Sequence, residues 1–299
     1  SALLNATLST NYKLGELTDS LEMLLAYYLP SLFPELSPTE PNSLATASPH
    51  FFNLNIETFE TRPFLRIFFP YLRIARNSEL QLNLGSDPTQ DRVSLQSRRI
   101  TLNRRLRFQN IAINGNSDEG GFAIQATLDS LTYTQDKNKI QLKNISFNSS
   151  QQKELMDYRL SWMNVDTISQ NQTSFIAGNA NISNKEHLFL TFTEANLFIQ
   201  NVKWSLEEES ELFLSEDRID VNHLLLSSSS GSLDINGSYS KNEEERLYIR
   251  IDQFDVSQLN SFTGLINLSL EGKMSALFTY LSGNEKPRFY GKSYFDNLH

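Results

Sequence analysis

From about residue 50 onward, apolar and polar residues alternate along most segments of this chain. A period of two puts every second side chain on the same side, so each such segment is an extended strand with one apolar face. The clearest examples are Phe52-Leu54-Ile56, Leu80-Leu82-Leu84, Phe122-Ile124-Ala126-Leu128 and Tyr158-Leu160-Trp162. The pattern continues through Leu188-Leu190-Phe192, Val202-Trp204-Leu206, Leu233-Ile235 and Leu247-Ile249-Ile251. Turn residues at Gly85-Ser86-Asp87-Pro88, Asn114-Gly115, Asp136-Lys137-Asn138, Asn236-Gly237 and Lys241-Asn242-Glu243 mark the expected breaks. Together they predict a meander of antiparallel hairpins.

A looser repeat rides on these strands, in which a small polar residue separates two apolar ones. It occurs as Phe108-Gln109-Asn110-Ile111, Leu142-Lys143-Asn144-Ile145 and Ile199-Gln200-Asn201-Val202, with Tyr294-Phe295-Asp296-Asn297-Leu298 as a relative. Such a residue lets the apolar set change phase, as a bulge or strand corner requires. Chance in an Asn-rich chain is the other reading.

One segment departs from the period of two. In Gly15 to Phe33, Leu17, Leu21, Leu24, Leu25, Tyr28 and Leu32 recur at three- and four-residue spacing, which predicts an amphipathic helix stopped by Pro30 and Pro34. It reads as a packed cover for one end of a sheet, with a membrane-surface helix as the alternative. Residues 35–49, rich in Ser, Thr and Pro, read as an exposed linker. The organisation is therefore 1–49, a strand, a helix and a linker, followed by 50–299, an elongated β-sheet repeat region. Within the latter, Phe59, Phe64, Phe68, Phe69 and Tyr71 cluster around Arg62-Pro63, either as core or as the lining of a hydrophobic groove, both of which bury the rings.

Composition excludes several functions. With 39% hydrophobic, 11% aromatic and 20% charged residues, the chain has the makings of an ordered β protein. Its net charge of -9 argues against a nucleic-acid partner, because phosphate binding needs concentrated Lys and Arg. The local exception is Arg92, Arg98, Arg99, Arg104, Arg105 and Arg107, interspersed with apolar residues. They read as the wet faces of strands, with an anionic-ligand patch as the alternative. There is no cysteine, and hence no disulfide, thiolate ligand or thiol nucleophile.

Catalytic patterns are equally sparse. The four histidines, His50, His187, His223 and His299, are isolated from one another in sequence, and no nucleophile elbow or glycine-rich phosphate loop occurs. Glu207-Glu208-Glu209 and Glu243-Glu244-Glu245 read as solvated charge in turns. The expectation is a protein that is not an enzyme and that uses no metal and no cofactor. No apolar run is long enough to span a bilayer, and no signal-peptide pattern is present. Either the chain is cytoplasmic or it is an internal piece of a longer exported protein. The interrupted stretches Leu4 to Leu14 and Phe289 to Leu298 favour the second.

The order of features resembles the TamB-like translocation and assembly module family of Bacteroidetes, within the wider AsmA-like group. The resemblance is carried by Tyr27-Tyr28-Leu29-Pro30, Phe51-Phe52-Asn53-Leu54, Phe68-Phe69-Pro70-Tyr71 and Tyr158-Arg159-Leu160-Ser161-Trp162. Further along lie Asn201-Val202-Lys203-Trp204-Ser205-Leu206, Leu233-Asp234-Ile235-Asn236-Gly237, Phe254 to Phe262, Leu268 to Gly272 and Pro287 to Gly291. The resemblance implies a periplasmic β-taco, a long sheet folded lengthwise into a trough with an apolar interior. It also implies a role as a bridge between inner and outer membranes in phospholipid transport and outer-membrane protein assembly. The implied partner is a TamA-like outer-membrane barrel, reached through a longer protein whose inner-membrane anchor lies outside this chain.

Strand physics fits that implication, since one curved sheet can turn a single apolar face inward without a second layer. The expected fold class is all-β, an elongated curved antiparallel sheet with one short N-terminal helix. Leu160, Trp162, Leu190, Phe192, Trp204, Ile249 and Ile251 are the residues expected to line a groove for phospholipid acyl chains. An extracellular β-sandwich adhesin or glycan-binding module, or a purely structural β-domain, are the alternatives.

Overall fold

A computed structural model describes residues 3–10, 51–85, 91–118, 121–135, 138–152, 154–164, 172–184, 186–199, 202–259, 271–283 and 288–297. Apart from one short helix and one 3-10 turn, its regular elements are antiparallel strands, so the all-β class expected from the alternation holds. The chain divides into two units, Ser1–Trp162 and Met163–His299. β1 (Leu4–Thr10), from the 1–49 segment of the sequence organisation, pairs with β2 (Phe51–Thr58) of the 50–299 segment.

The first unit continues through β3 (Leu72–Ile74), β4 (Glu79–Gly85), β5 (Arg92–Leu102), β6 (Leu106–Asp118), β7 (Gly121–Gln135), β8 (Asn138–Gln152) and β9 (Leu155–Asn164). Register aligns the apolar sets of successive strands into rows. One row runs Ala6, Ile56, Leu80, Leu95, Ile113, Ala126 and Phe147. A second runs Ile74, Ile100, Phe108, Leu131 and Leu142. Each directly opposed apolar pair contributes about 0.2–1 kcal/mol, so the face is held by many small terms.

Between these rows the apolar set changes parity, from Ile113 and Ile111 to Phe108 and Leu106 on β6, and from Ile145 and Phe147 to Leu142 and Ile140 on β8. The residues at the change are Asn110 and Asn144, with φ of 50° and 48°. A left-handed residue reverses the alternation, so apolar side chains on either side of it can share a face. The expected phase change is thus present, but its geometry differs from a bulge with an extra residue. Arg98 and Asn110 drop out of the β5–β6 ladder together, one from each strand, and Asp129 and Asn144 do so between β7 and β8. Asn110 Nδ2 donates to Asp129 Oδ2 at 2.6 Å, tying neighbours along this line. Asn297 also has a positive φ, 52°, while Asn201 lies outside the described residues.

The second unit contains β10 (Ser174–Asn184), β11 (His187–Ile199), β12 (Val202–Leu206), β13 (Ser210–Ser215), β14 (Arg218–Ser228), β15 (Gly231–Ser240), β16 (Arg246–Asp255), β17 (Lys273–Leu281) and β18 (Arg288–Asp296). β12 and β13 both pair with β11 and with β14, and the acidic run at 207–209 is the interruption between them. Here the phase changes are bulges proper, with two residues opposing one. Asn222 and His223 face Asn236, and Asp252 and Gln253 face Ser275. His223 and Gln253 take φ of 53° and 51°.

Three expectations require correction or placement. Asn114-Gly115 and Asn236-Gly237 are not turns but lie inside β6 and β15. The glycine at 115 serves close packing instead, since a Cβ there would sit 2.6 Å from Val93 Cγ1 and 2.7 Å from Phe122 Cζ. The helix expected over Gly15 to Phe33 falls outside the described residues. The one described helix, α1 (Arg62–Phe68), instead occupies the aromatic cluster. Pro63 presets a helical φ in its first turn, and seven residues are too few to betray themselves by periodicity.

Asn110→Val, which places a β-branched residue in the left-handed region, is expected to lower stability by about 1–3 kcal/mol. Asn110→Gly should stay within about 1 kcal/mol of the parent. Urea denaturation midpoints check this, and equal losses in both variants would remove backbone conformation as the reason for the asparagine.

Candidate functional site

The seven residues singled out for an apolar groove fall in both units. In the first, Leu160 and Trp162 share the alternation of β9 with Met156 and Tyr158, and all four are half-buried. The Tyr158 hydroxyl is buried and has no hydrogen-bond partner among the described residues, and burial pushes its pKa up. It is therefore a neutral polar group set among apolar ones.

In the second unit the strands bring the remaining candidates together in rows. Leu190 belongs to the row Ala180, Leu190, Leu212, Val221, Gly237, Leu247, Tyr280 and Phe289. Ile249 stands in the row Leu224, Ile235, Ile249, Phe278 and Gly291. Ile251 continues Leu206, Leu226 and Leu233 towards Ala276. Phe192 follows Leu190 two residues along β11, opposite Gly178 and Ser210. Leu190, Phe192, Ile249 and Ile251 are half-buried. Gly291 has no side chain to obstruct the Phe278 ring, whose Cδ1 would lie 2.5 Å from a Cβ at that position.

Trp204 differs from the other six. It shares the alternation of Leu206, yet only 3% of its surface is exposed. The chain leaving β16 forms a 3-10 turn, Val256–Leu259, with Val256 and Gln258 each 2% exposed. Trp204 Nε1 donates to Gln258 Oε1 at 3.1 Å, and Gln258 Nε2 donates to Ser230 Oγ at 2.6 Å. The Phe254 ring packs 5.7 Å from the indole. Both polar groups of the buried pair are satisfied, so this cluster is a packed anchor at which the apolar face is already covered. Gln258 was not among the sequence candidates. Its signal was adjacency to Phe254 in the run Phe254 to Leu259, with nothing to indicate a partner 54 residues away.

Polar groups converge less. Among the described residues no group of three or more His, Asp or Glu side chains is placed to hold a metal ion. His223, isolated in sequence, gains an ion-pair partner in Glu208 at 2.9 Å when protonated, with both side chains about half exposed. His187 lies 5.2 Å from the Phe213 ring. His50 and His299 are outside the described residues. The arginines at 92, 98, 99, 104, 105 and 107 are all exposed, four on β5 and β6 and Arg104 and Arg105 in the turn between them. Phe69 and Tyr71, expected to be buried, are 57% and 71% exposed in the turn between α1 and β3.

No protein-family model matches the sequence, and no curated protein and no solved structure matches it at a significant level.

Trp204→Ala is expected to cost about 3–5 kcal/mol through the cavity it leaves. Trp204→Phe should cost about 1–3 kcal/mol, because Gln258 Oε1 then loses its donor while buried. In a double-mutant cycle with Gln258→Leu, the two losses should be smaller together than their sum. Additive losses in thermal unfolding would separate the indole from its glutamine.

Proposed function

We propose that this chain is a non-catalytic, lipid-handling β segment of a periplasmic TamB-like envelope protein, and that the apolar rows of its strands hold phospholipid acyl chains. The observation that carries the reading is that these rows run strand to strand while most of their residues are only half-buried. A closed sandwich core would bury them. Among the described residues only nine hydrophobic side chains are buried, Trp204 and Val256 of the packed anchor among them.

An open apolar surface is suited to acyl chains because their transfer needs area and not directed bonds. At about 0.8 kcal/mol per buried methylene, ten methylenes supply on the order of 8 kcal/mol before ordering costs. A single hydrogen bond adds about 1 kcal/mol net, so a polar site would contribute little by comparison. The proposed setting is the periplasm, within a longer protein anchored in the inner membrane. Its proposed outer-membrane partner is a TamA-like barrel.

The packed anchor at Trp204 favours a second reading, a structural β-domain whose face is closed throughout by its own loops. The two readings differ at Ile249. A photo-crosslinking amino acid at Ile249 or Leu190 is expected to yield lipid adducts by mass spectrometry. The same label at Tyr248, on the opposite alternation, should yield few. Equal or absent labelling at both kinds of position would favour the closed domain.

A further inference from the structure

The first unit carries a second surface with the opposite chemistry. A cleft of about 1480 Å³ lies beside α1, and Arg62, Arg66, Arg73, Arg98, Arg99 and Arg104 line it. Its lining includes one carboxylate, Glu60, and that group is already engaged by Arg76. The hydrogen bond and charge of Arg76 hold the Glu60 carboxyl below its ordinary value, with smaller contributions from the backbone and charge of Arg62. No acid is paired with Arg66, Arg73, Arg98, Arg99 or Arg104 among the described residues. In a chain with 35 acidic and 26 basic residues, an arginine cluster with so little acid is a pronounced local reversal of charge.

The backbone explains how these side chains come together. Arg62 and Arg66 are four residues apart on α1, one helical turn. Arg73 pairs with Thr101, and Ala75 N donates to Arg99 O at 2.8 Å, so Arg73 and Arg99 are diagonal neighbours on β3 and β5. They occupy the alternation opposite to Ile74 and Ile100, whose row is apolar. Arg104 stands in the β5–β6 turn at φ 58°. A smaller cavity of about 280 Å³ shares Arg73, Arg99 and Arg104 and adds Arg107. Leu65 is buried and roots the helix, while Leu65 N donates to Thr61 O at 2.9 Å.

Beside the cleft, the end of α1 and the turn after it expose Ile67, Phe69 and Tyr71, at 75%, 57% and 71%. Apolar and aromatic side chains next to unpaired guanidinium groups combine the two contacts that an anionic membrane surface offers. The rings and Ile67 suit the boundary of headgroup and acyl chain, and guanidinium forks match phosphate oxygens in pairs.

We propose that α1 and the arginine cleft dock on an anionic lipid surface, with the arginines on headgroup phosphates and Ile67, Phe69 and Tyr71 in the interfacial layer. The inference stands on the cleft arginines and on the exposed Ile67, Phe69 and Tyr71, none of which belongs to the apolar rows, and does not rest on that reading.

Co-sedimentation of the whole chain with vesicles tests it. Binding is expected to vesicles of phosphatidylcholine with phosphatidylglycerol, to weaken with added salt, and to be absent for phosphatidylcholine alone. Arg66→Glu/Arg73→Glu/Arg99→Glu should weaken it on the order of a hundredfold. The corresponding triple Arg→Gln variant, which removes charge without reversing it, should weaken it less but in the same direction. Ile67→Ser/Phe69→Ser/Tyr71→Ser should also lose vesicle binding while leaving any pyrophosphate binding, followed by calorimetry, unchanged.

Arg66, Arg73, Arg99, Ile67, Phe69 and Tyr71 are all exposed, so the melting midpoints of these variants should match the parent. Equal binding to uncharged vesicles, or binding that ignores both arginine variants, overturns the proposal. So does pyrophosphate binding accompanied by undiminished vesicle binding in the serine variant, which identifies a free-polyanion site. Ile249→Asp, which disables the apolar rows, should leave vesicle binding intact; loss there assigns the lipid contact to those rows and overturns the cleft.

Discussion

Antiparallel backbone pairing is the constraint on which everything else in this protein depends. Once neighbouring strands are in register, a shift of one residue would carry every apolar side chain to the opposite face. The rows through Ile56 and Leu80 in the first unit, and through Ile235 and Ile249 in the second, exist because the apolar sets of successive strands are aligned to the residue. No single pair is strong. The face is defined because many weak pairs agree on one register, and an alternative register would lose them together.

Long strands strain this arrangement, because a strict period of two is hard to maintain over 13 or 15 residues. The two units relieve it differently. In the first, Asn110 and Asn144 take left-handed backbone conformations in line with Arg98 and Asp129, and the apolar set changes parity on all four strands together. In the second, His223 and Gln253 sit at bulges where one strand carries an extra residue. The first solution keeps neighbouring strands equal in length. The second lets only one strand of a pair change parity, as when Ile251 and Phe254 both reach the face bearing Trp204. Both devices keep apolar side chains on one face across a long strand, while the other face carries polar and charged residues.

That division of labour is clearest around Ile74 and Ile100. On one alternation they extend an apolar row, and on the other Arg73 and Arg99 extend a basic surface completed by Arg62 and Arg66 of α1. Adjacent residues of one strand thus place apolar and basic groups on opposite alternations. Where the apolar face is covered, as at Trp204, the cover is specific and fully hydrogen-bonded through Gln258 and Ser230.

Much of this was legible in the amino-acid order. Alternation by itself determined the all-β class, the antiparallel hairpin order and the membership of Leu190, Phe192, Ile249 and Ile251 in apolar strand faces, because the direction of a side chain on a strand is a local property. The asparagine repeat marked the places where that direction changes. Tertiary structure alone decided what depends on distant partners. It placed Asn114-Gly115, an expected turn, inside a strand paired on both sides, where a Cβ on Gly115 would meet Val93 and Phe122. It buried Trp204 beneath Gln258, 54 residues away, while leaving the other groove candidates half-open. It also gathered arginines from α1, β3 and β5 into one cleft, although only those of β5 and its following turn had stood together in the chain. Periodicity reports which side of its own strand a residue occupies, whereas cover, charge density and room for a ring depend on which other strand arrives beside it.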